Sequence, residues 1–340
     1  MRDVGQLDVP QIPLKICRTR SSINTTGLAR ILYENCVNEW NPTCQLKASH
    51  PRCRHRSILC TLHFLATGSY QSHVGESMDI AMSQPNVSRV IKNVTEAILQ
   101  LENEFISFPR TENERRVISE GFRGMCHFPG VIGCVDGTHI PITTPSREAW
   151  SFLNHKRFHS LNVQATCDDK RCITPLEVFA GTTHDSRVWN GSQVKAEICR
   201  VNGEGLGPYY LLGDKGYPLG PCVVIPYMAP GAGSPEARFN TRHMHTRCII
   251  ECTFGNLKGK WRCLKRDRTL NYQPYKASRL LKYCVILHNI LIGRRDPVYL
   301  DENFPPEVND MARVMDDEEE GQCALDEGRA LRNRIVEEFF

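Results

Sequence analysis

The sequence predicts an α/β protein, a sheet flanked by helices, and three observations predict it. Two short apolar runs, Val131 to Val135 and Tyr209 to Leu212, are each followed by a lone carboxylate beside glycine, Asp136 and Asp214. Runs of that length, rich in β-branched and aromatic residues, are the signature of buried strands. Two further runs, HSLNVQATCDD (His159 to Asp169) and ITPLEVFA (Ile173 to Ala180), form strands joined by a turn at Asp168, Asp169 and Lys170. Around them, apolar residues recur at helical spacing, as in Ile250, Phe254, Leu257 and Trp261.

Taken in order, residues 1–56 show no clean periodicity and form a poorly defined N-terminal arm. Cys44, His50, Cys53, His55, Cys60 and His63 cluster there. Their spacings contain no C-x2-C pair, so scattered thiols and imidazoles in an arm are a simpler account than a zinc site. Residues 57–125 form a helical region. Ile58, Leu59, Leu62 and Leu65 make a stripe that stops at Gly68, a helix-terminating glycine. A short helix follows near Ser77 to Met82. A third begins at Ser83 with Pro85 in its first turn and carries Val87, Val90, Ile91, Val94 and Ile98 on one face. Three helices with a tight connection before the last suggest a helix-turn-helix, with Ser88, Arg89, Lys92 and Asn93 turned to a DNA groove. The alternative is an ordinary helical bundle packed on the next domain.

Residues 126–294 hold the strands. Asp136 is expected at the end of its strand, where Gly137 turns the chain into a second strand through Ile140 and Ile142. A buried carboxylate costs several kcal/mol unless compensated, so Asp136 either caps that turn or takes a cation. GTTHDSRVWNGS places Asp185 at a helix start, as a cap or a metal ligand. CVVIPY (Cys222 to Tyr227) is one more short strand. The helix that carries Glu251 puts Arg247 one turn before it, in the less favoured order for an i,i+4 pair. Lys258, Lys260, Arg262, Lys265, Arg266 and Arg268 follow closely and suit phosphates or a solvated face. A helix from Pro274 to Ile292 closes the core. Residues 295–340 form an acidic, flexible tail with a short helix near Leu331.

The net charge of +4 conceals an asymmetry. From Arg295 onward 14 acidic residues face 5 basic ones, which leaves 37 basic against 24 acidic before it. A body that basic suits a polyanionic partner. No apolar run approaches the roughly 20 residues that span a bilayer, and the start lacks the apolar segment of a secretory signal, so an intracellular setting is expected. The 16 cysteines are spread from Cys17 to Cys323 and are expected to be mostly buried thiols.

Asp136, Asp214 and Glu251 together make a set of hard oxygen donors on two strand ends and one helix. Such a set suits two divalent cations about 3.5 to 4 Å apart, Mg²⁺ or Mn²⁺ in preference to ions that favour thiolates. The segments GCVDGTHIPI, HSLNVQATCD, GTTHDSRVWNGS, LLGDKGYP, FNTRHMHTRCIIECTFGNLKGKWRCL and YCVILHNI, in that order between Gly130 and Ile292, resemble the PIF/Harbinger DDE transposases and the nuclease derived from them. The stretch LHFLATGSYQSHVGESMDIAMSQPNVSRVIKNV is similar to that family's N-terminal region. The resemblance implies an RNase H-like mixed sheet and a catalytic triad of Asp136, Asp214 and Glu251, with Asp185 as a further metal ligand. It also implies two-metal phosphodiester cleavage, with or without strand transfer, and a Myb/SANT-like DNA-binding protein as partner. Lys215 departs from the pattern, since the family carries a small residue after that aspartate.

The leading expectation is therefore a metal-dependent DNA endonuclease or transposase acting in the nucleus. Arg89, Lys92, Asn93, Lys258, Lys260 and Arg262 are the candidate DNA contacts. The competing expectation is a domesticated, catalytically silent DNA-binding or scaffold protein. A zinc-binding interaction module built on the N-terminal Cys/His cluster is a third.

Overall fold

The computed structural model describes residues 51–295 and 322–340, with side chains from residue 55 onward. Its axis is the strand β1, Val131–Pro141, buried along its whole length. The sheet also contains β2 (Ser160–Cys167), β3 (Ile173–Ala180), β4 (Tyr210–Leu212) and β5 (Val223–Val224), in the order β3-β2-β1-β4-β5. β2 and β3 continue antiparallel from one edge of β1, while β4 and β5 continue parallel from the other. The sheet is therefore mixed. Pairing with β4 from Val131 to Cys134 and with β2 from Cys134 to Pro141 gives the backbone of β1 partners along an eleven-residue buried run.

One expectation fails here. The chain does not turn at Gly137: Asp136 lies opposite Ala165, Gly137 opposite Gln164 and Thr138 opposite Val163 in one uninterrupted ladder. Asp136 thus sits in mid-strand and caps no turn. The glycine answers a different need, because a Cβ at position 137 would stand 2.6 Å from Oδ1 of Asp185. A close approach, not a left-handed backbone, excludes a side chain there.

The helices, in chain order, are α1 (Pro51–Thr67), α2 (Gln71–Glu76), α3 (Gln84–Leu99), α4 (Glu102–Phe105), α5 (Glu112–Cys126), α6 (Ala149–Phe152), α7 (Asp185–Asn190) and α8 (Gln193–Gly203). After β5 come α9 (Pro235–Lys260), α10 (Pro274–Gly293) and α11 (Gln322–Phe339). Several ends are set by side chains that the sequence displays. Gly68 takes φ +63° just past α1. Thr111 and Glu114 form a reciprocal capping box at the start of α5, and Ser234 caps α9 ahead of Pro235.

Two apolar clusters sandwich the sheet. In the larger, Cys134, Ile140, Leu161 and Val163 pack with Phe254, Leu257, Trp261, Leu281 and Leu287 from α9, α10 and the turn after α9. In the smaller, Ile132, Val135 and Leu211 pack with Trp189, Val194 and Ile198 from α7 and α8. α1, α2 and α3 pack on one another, α3 on α10, and their apolar stripes belong to the larger cluster. Ser88, Arg89, Lys92 and Asn93 lie on the exposed side of α3. The helix expected near Leu331 is α11, which packs on α9 and β5 with Leu331, Ile335 and Val336 inward. Cys199 of α8 and Cys222 ahead of β5 are paired as a disulfide, whereas Cys60, Cys126, Cys134, Cys167, Cys263 and Cys284 are the buried thiols expected. The side chains of Cys44, His50 and Cys53 lie outside the described residues. Among those described, no helix is long and apolar enough to cross a membrane.

His243 on α9 and His288 on α10 are buried, with Nε2 against the carbonyls of Val224 (3.1 Å) and Arg171 (2.9 Å). Burial pushes both imidazoles down to about 4, so the folded chain keeps them neutral. An unfolded histidine titrates near about 6.5. Between those values the unfolded chain binds more protons, so this contribution is complete above the upper value and is lost as pH falls through the lower one. The raised carboxyls Asp136 and Asp168 work in the opposite sense, so the test isolates one residue. Urea unfolding of wild type and His288→Gln at about pH 7 and about pH 5 is expected to show a smaller stability gap at the acid value. A gap unchanged by pH would refute neutral burial of His288.

Candidate active site

Along one face of β1 every second residue meets α9. The thiol of Cys134 approaches the carbonyl of Thr246, the carboxylate of Asp136 accepts from Arg247 (3.5 Å), and Thr138 accepts from Nζ of Lys258 (2.7 Å). This period of two is what a strand dictates, and it aims a single acid at the helix. Arg247 reaches further: its guanidinium also pairs with Glu251, one turn along α9. A pair that looked like a surface i,i+4 contact is in fact a bridge from helix to central strand, with Arg247 and Glu251 side chains each 18% exposed and that of Asp136 only 4%.

Two further acids come from other elements. Asp185 is the first residue of α7; His184 holds the N-cap position, so Asp185 is not the cap. Its Oδ1 accepts from Nδ2 of Asn162 on β2 (3.1 Å) and lies against the backbone of Gly137. Asp214 follows β4 in a tight turn, where its Oδ1 accepts from the backbone N–H of Gly216 (2.9 Å). The parallel pairing of β4 with β1 carries Asp214 to the same region as Asp136.

The electrostatics link these acids through Asp136 and Arg247. Burial pushes the carboxyl of Asp136 well above the usual range; Arg247 opposes that shift, and the charges of Asp214 and Asp185 add to it. Asp185 is also raised, first by burial and then by Asp214, with the Asn162 hydrogen bond opposing. Arg247 pays for its burial, yet Asp136, Glu251 and Asp214 outweigh this and hold its pKa above the ordinary value. Tyr217, buried beside them, is raised by burial and then by Asp185, Asp136 and Asp214. An excess of negative charge around a buried strand is therefore balanced by one guanidinium.

Among the described residues, no three His, Cys, Asp or Glu side chains are gathered tightly enough to hold a metal ion. The donor set nevertheless fits a hard cation. All four groups are carboxylates, and a cationic side chain already stands between Asp136 and Glu251.

The candidate DNA contacts divide. Arg89, Lys92 and Asn93 face solvent on α3. Lys260 is buried, and Lys258 donates to Thr138 and to the carbonyl of His139 (3.0 Å), because the last turns of α9 pack on β1 and the core. These two lysines do not form the outward-facing strip that their spacing suggested. Arg262 lies 3.9 Å from Asp267 with 39% of its side chain exposed. The residues that sequence reasoning did not single out are Asn162, Tyr217 and the bridging role of Arg247. An arginine four residues before Glu251 was visible, but its strand partner was not.

Residues 135–289 match the family model described as DDE superfamily endonuclease. The chain is 30% identical over 304 residues to "Putative nuclease HARBI1" of Homo sapiens, covering 88% of this chain and 83% of that protein. It is 34% identical over 252 residues to the protein of the same name from Bos taurus, covering 73% and 69%. "Protein ALP1-like" of Arabidopsis thaliana is 26% identical over 277 residues, covering 77% and 66%. No solved structure matches the chain.

If Arg247 balances these acids, Arg247→Met removes the cation that pairs with Asp136 and Glu251. The variant is expected to lose about 3 kcal/mol of stability near neutral pH, less in acid where the carboxyls protonate. Urea unfolding curves would measure it, and an unchanged midpoint would rule out the bridge as a stabilising feature.

Proposed function

The chain belongs to the Harbinger-type DDE transposase-derived family, and on that premise we propose that it is a divalent-metal-dependent DNA endonuclease. The observation that carries the reading is the convergence of Asp136, Asp185, Asp214 and Glu251, from four separate elements, on one electrostatic neighbourhood. We read the mixed sheet as RNase H-like, with Asp136, Asp214 and Glu251 as the catalytic triad and Asp185 as a further ligand. These four would hold Mg²⁺ or Mn²⁺, which supplies Lewis-acid stabilisation of charge on phosphoryl oxygens.

The chain's own groups prepare that site. Asn162 fixes the carboxylate of Asp185, and backbone N–H groups of Gly137 (2.9 Å) and Gly216 fix those of Asp136 and Asp214. Arg247 keeps the acids together by neutralising part of their charge. The phosphodiester backbone of DNA would approach over the outward cations of α3, Arg89 and Lys92, with Asn93, in a helix-turn-helix role for α1 to α3, and over Arg262. Strand transfer, a nuclear setting and a Myb/SANT-like protein partner belong to the same proposal. The competing reading, a catalytically silent DNA-binding or scaffold protein, draws on one observation: a guanidinium stands where a cation would act.

Cleavage of labelled duplex DNA with Mg²⁺ or Mn²⁺ separates the two. Wild type is expected to cut, and Asp214→Asn to lose at least about 10²-fold in rate while retaining salt-sensitive binding. Equal activity in both proteins would remove the enzyme reading, and binding without cutting by wild type would favour the silent one.

A further inference from the structure

The connection between β1 and β2, residues 142–159, carries the short helix α6 and presents Trp150 with 77% of its surface exposed. The other tryptophans of the described residues, Trp189 and Trp261, are 1% and 0% exposed. A solitary exposed apolar side chain needs no explanation. Trp150 differs because the connection that carries it is tied to neighbouring elements. The carbonyl of Ser151 accepts from both the backbone N–H (3.1 Å) and the hydroxyl (2.8 Å) of Thr182. Asn154 is buried and donates to Ser160 (2.9 Å), Ser146 donates to Gln273, and the guanidinium of Arg266 covers the ring of Phe158 at 4.6 Å. The connection that carries Trp150 is therefore a braced platform, and its indole stands out into solvent.

Two observations say what would cover it. Thr182, which grips the platform, stands three residues before Asp185, so Trp150 is tied to the turn that delivers one of the four acids. The same connection also exposes Arg147, Lys156 and Arg157 against a single acid, Glu148. Burial first, and then the charges of His155, Lys258 and Lys156, hold down the imidazole of His139, three residues beyond Asp136, so these cations share its surroundings. A flat, exposed aromatic surface on a connection rich in cations, hydrogen-bonded to the turn that leads to Asp185, matches a nucleobase with its flanking phosphates.

We propose that Trp150 is a base-stacking residue: its indole receives an unpaired nucleobase adjoining the scissile phosphate, while Arg147, Lys156 and Arg157 hold the strand's phosphates. This rests on the reading of the chain as a DNA-cutting protein, and it adds that the bound DNA is locally single-stranded at the platform.

The test uses the full chain in EDTA, so that no strand is cut, with two probes: a duplex bearing a single-stranded overhang and the same duplex made blunt. Wild type is expected to bind the overhang more tightly, with quenching of the exposed tryptophan's fluorescence. Trp150→Ala is expected to weaken overhang binding about tenfold, to leave blunt binding within about twofold, and to abolish the quench, with partial rescue by Trp150→Phe. The thermal midpoint should not move, since the side chain is outside the core. Equal weakening on both probes, or none on either, would overturn the stacking role. Loss of the overhang preference in Trp150→Ala by a wild type that binds but never cuts with Mg²⁺ would leave stacking standing and remove only the nuclease reading. A wild type that binds neither probe would overturn both.

Discussion

A carboxylate in the middle of a strand buried on both faces cannot keep its charge unless a cation is brought to it, and that constraint organises this molecule. Arg247, on a helix remote in sequence, offsets the cost of that burial in part, and burial still holds the Asp136 carboxyl above its usual range. The contact needs α9 pressed along β1, which the apolar stripe of Ile250, Phe254 and Leu257 secures. Because Arg247 also holds Glu251, the same arrangement that makes the strand tolerable places two acids from different elements on either side of one positive group. One interaction thus links the burial of Asp136 to the placing of Glu251.

The neighbouring acids share this origin. Parallel pairing of β4 with β1 delivers Asp214, and the antiparallel excursion through β2 and β3 delivers Asp185. Each then takes a hydrogen bond that fixes its direction, from Gly216 and Asn162 respectively. Acids of like charge gathered in this way repel one another, which is why burial and mutual charge both move Asp136 and Asp185 toward the protonated form. Added positive charge, or a proton on one of the carboxyls, relieves that repulsion.

Much of this was legible in the sequence, and the limits are instructive. The runs that precede Asp136 and Asp214, the stripe of α9 and the strands flanking Asp168 all follow from period and composition, which act over a few residues. The turn assigned to Gly137 failed because a glycine beside an aspartate has two explanations locally. Only the position of Asp185, far along the chain, decides for close approach over turning. The basic run after Leu257 failed for a related reason. Charge says that Lys258 and Lys260 prefer water, but the packing of the helix end on β1 decides which of them reach it. Arg247 was seen beside Glu251 and given a small local role, since its decisive partner is separated by more than a hundred residues.

The crowding at Gly137 bears on how relatives of this chain should be judged. Competence is commonly inferred by checking that every acidic position is still occupied. Here a single added methyl group at residue 137 would collide with the carboxylate of Asp185 while leaving all four acids in place. A copy altered in that way would pass the inventory although the Asp185 carboxylate had been made to shift, so the space left beside the acids counts alongside the acids themselves.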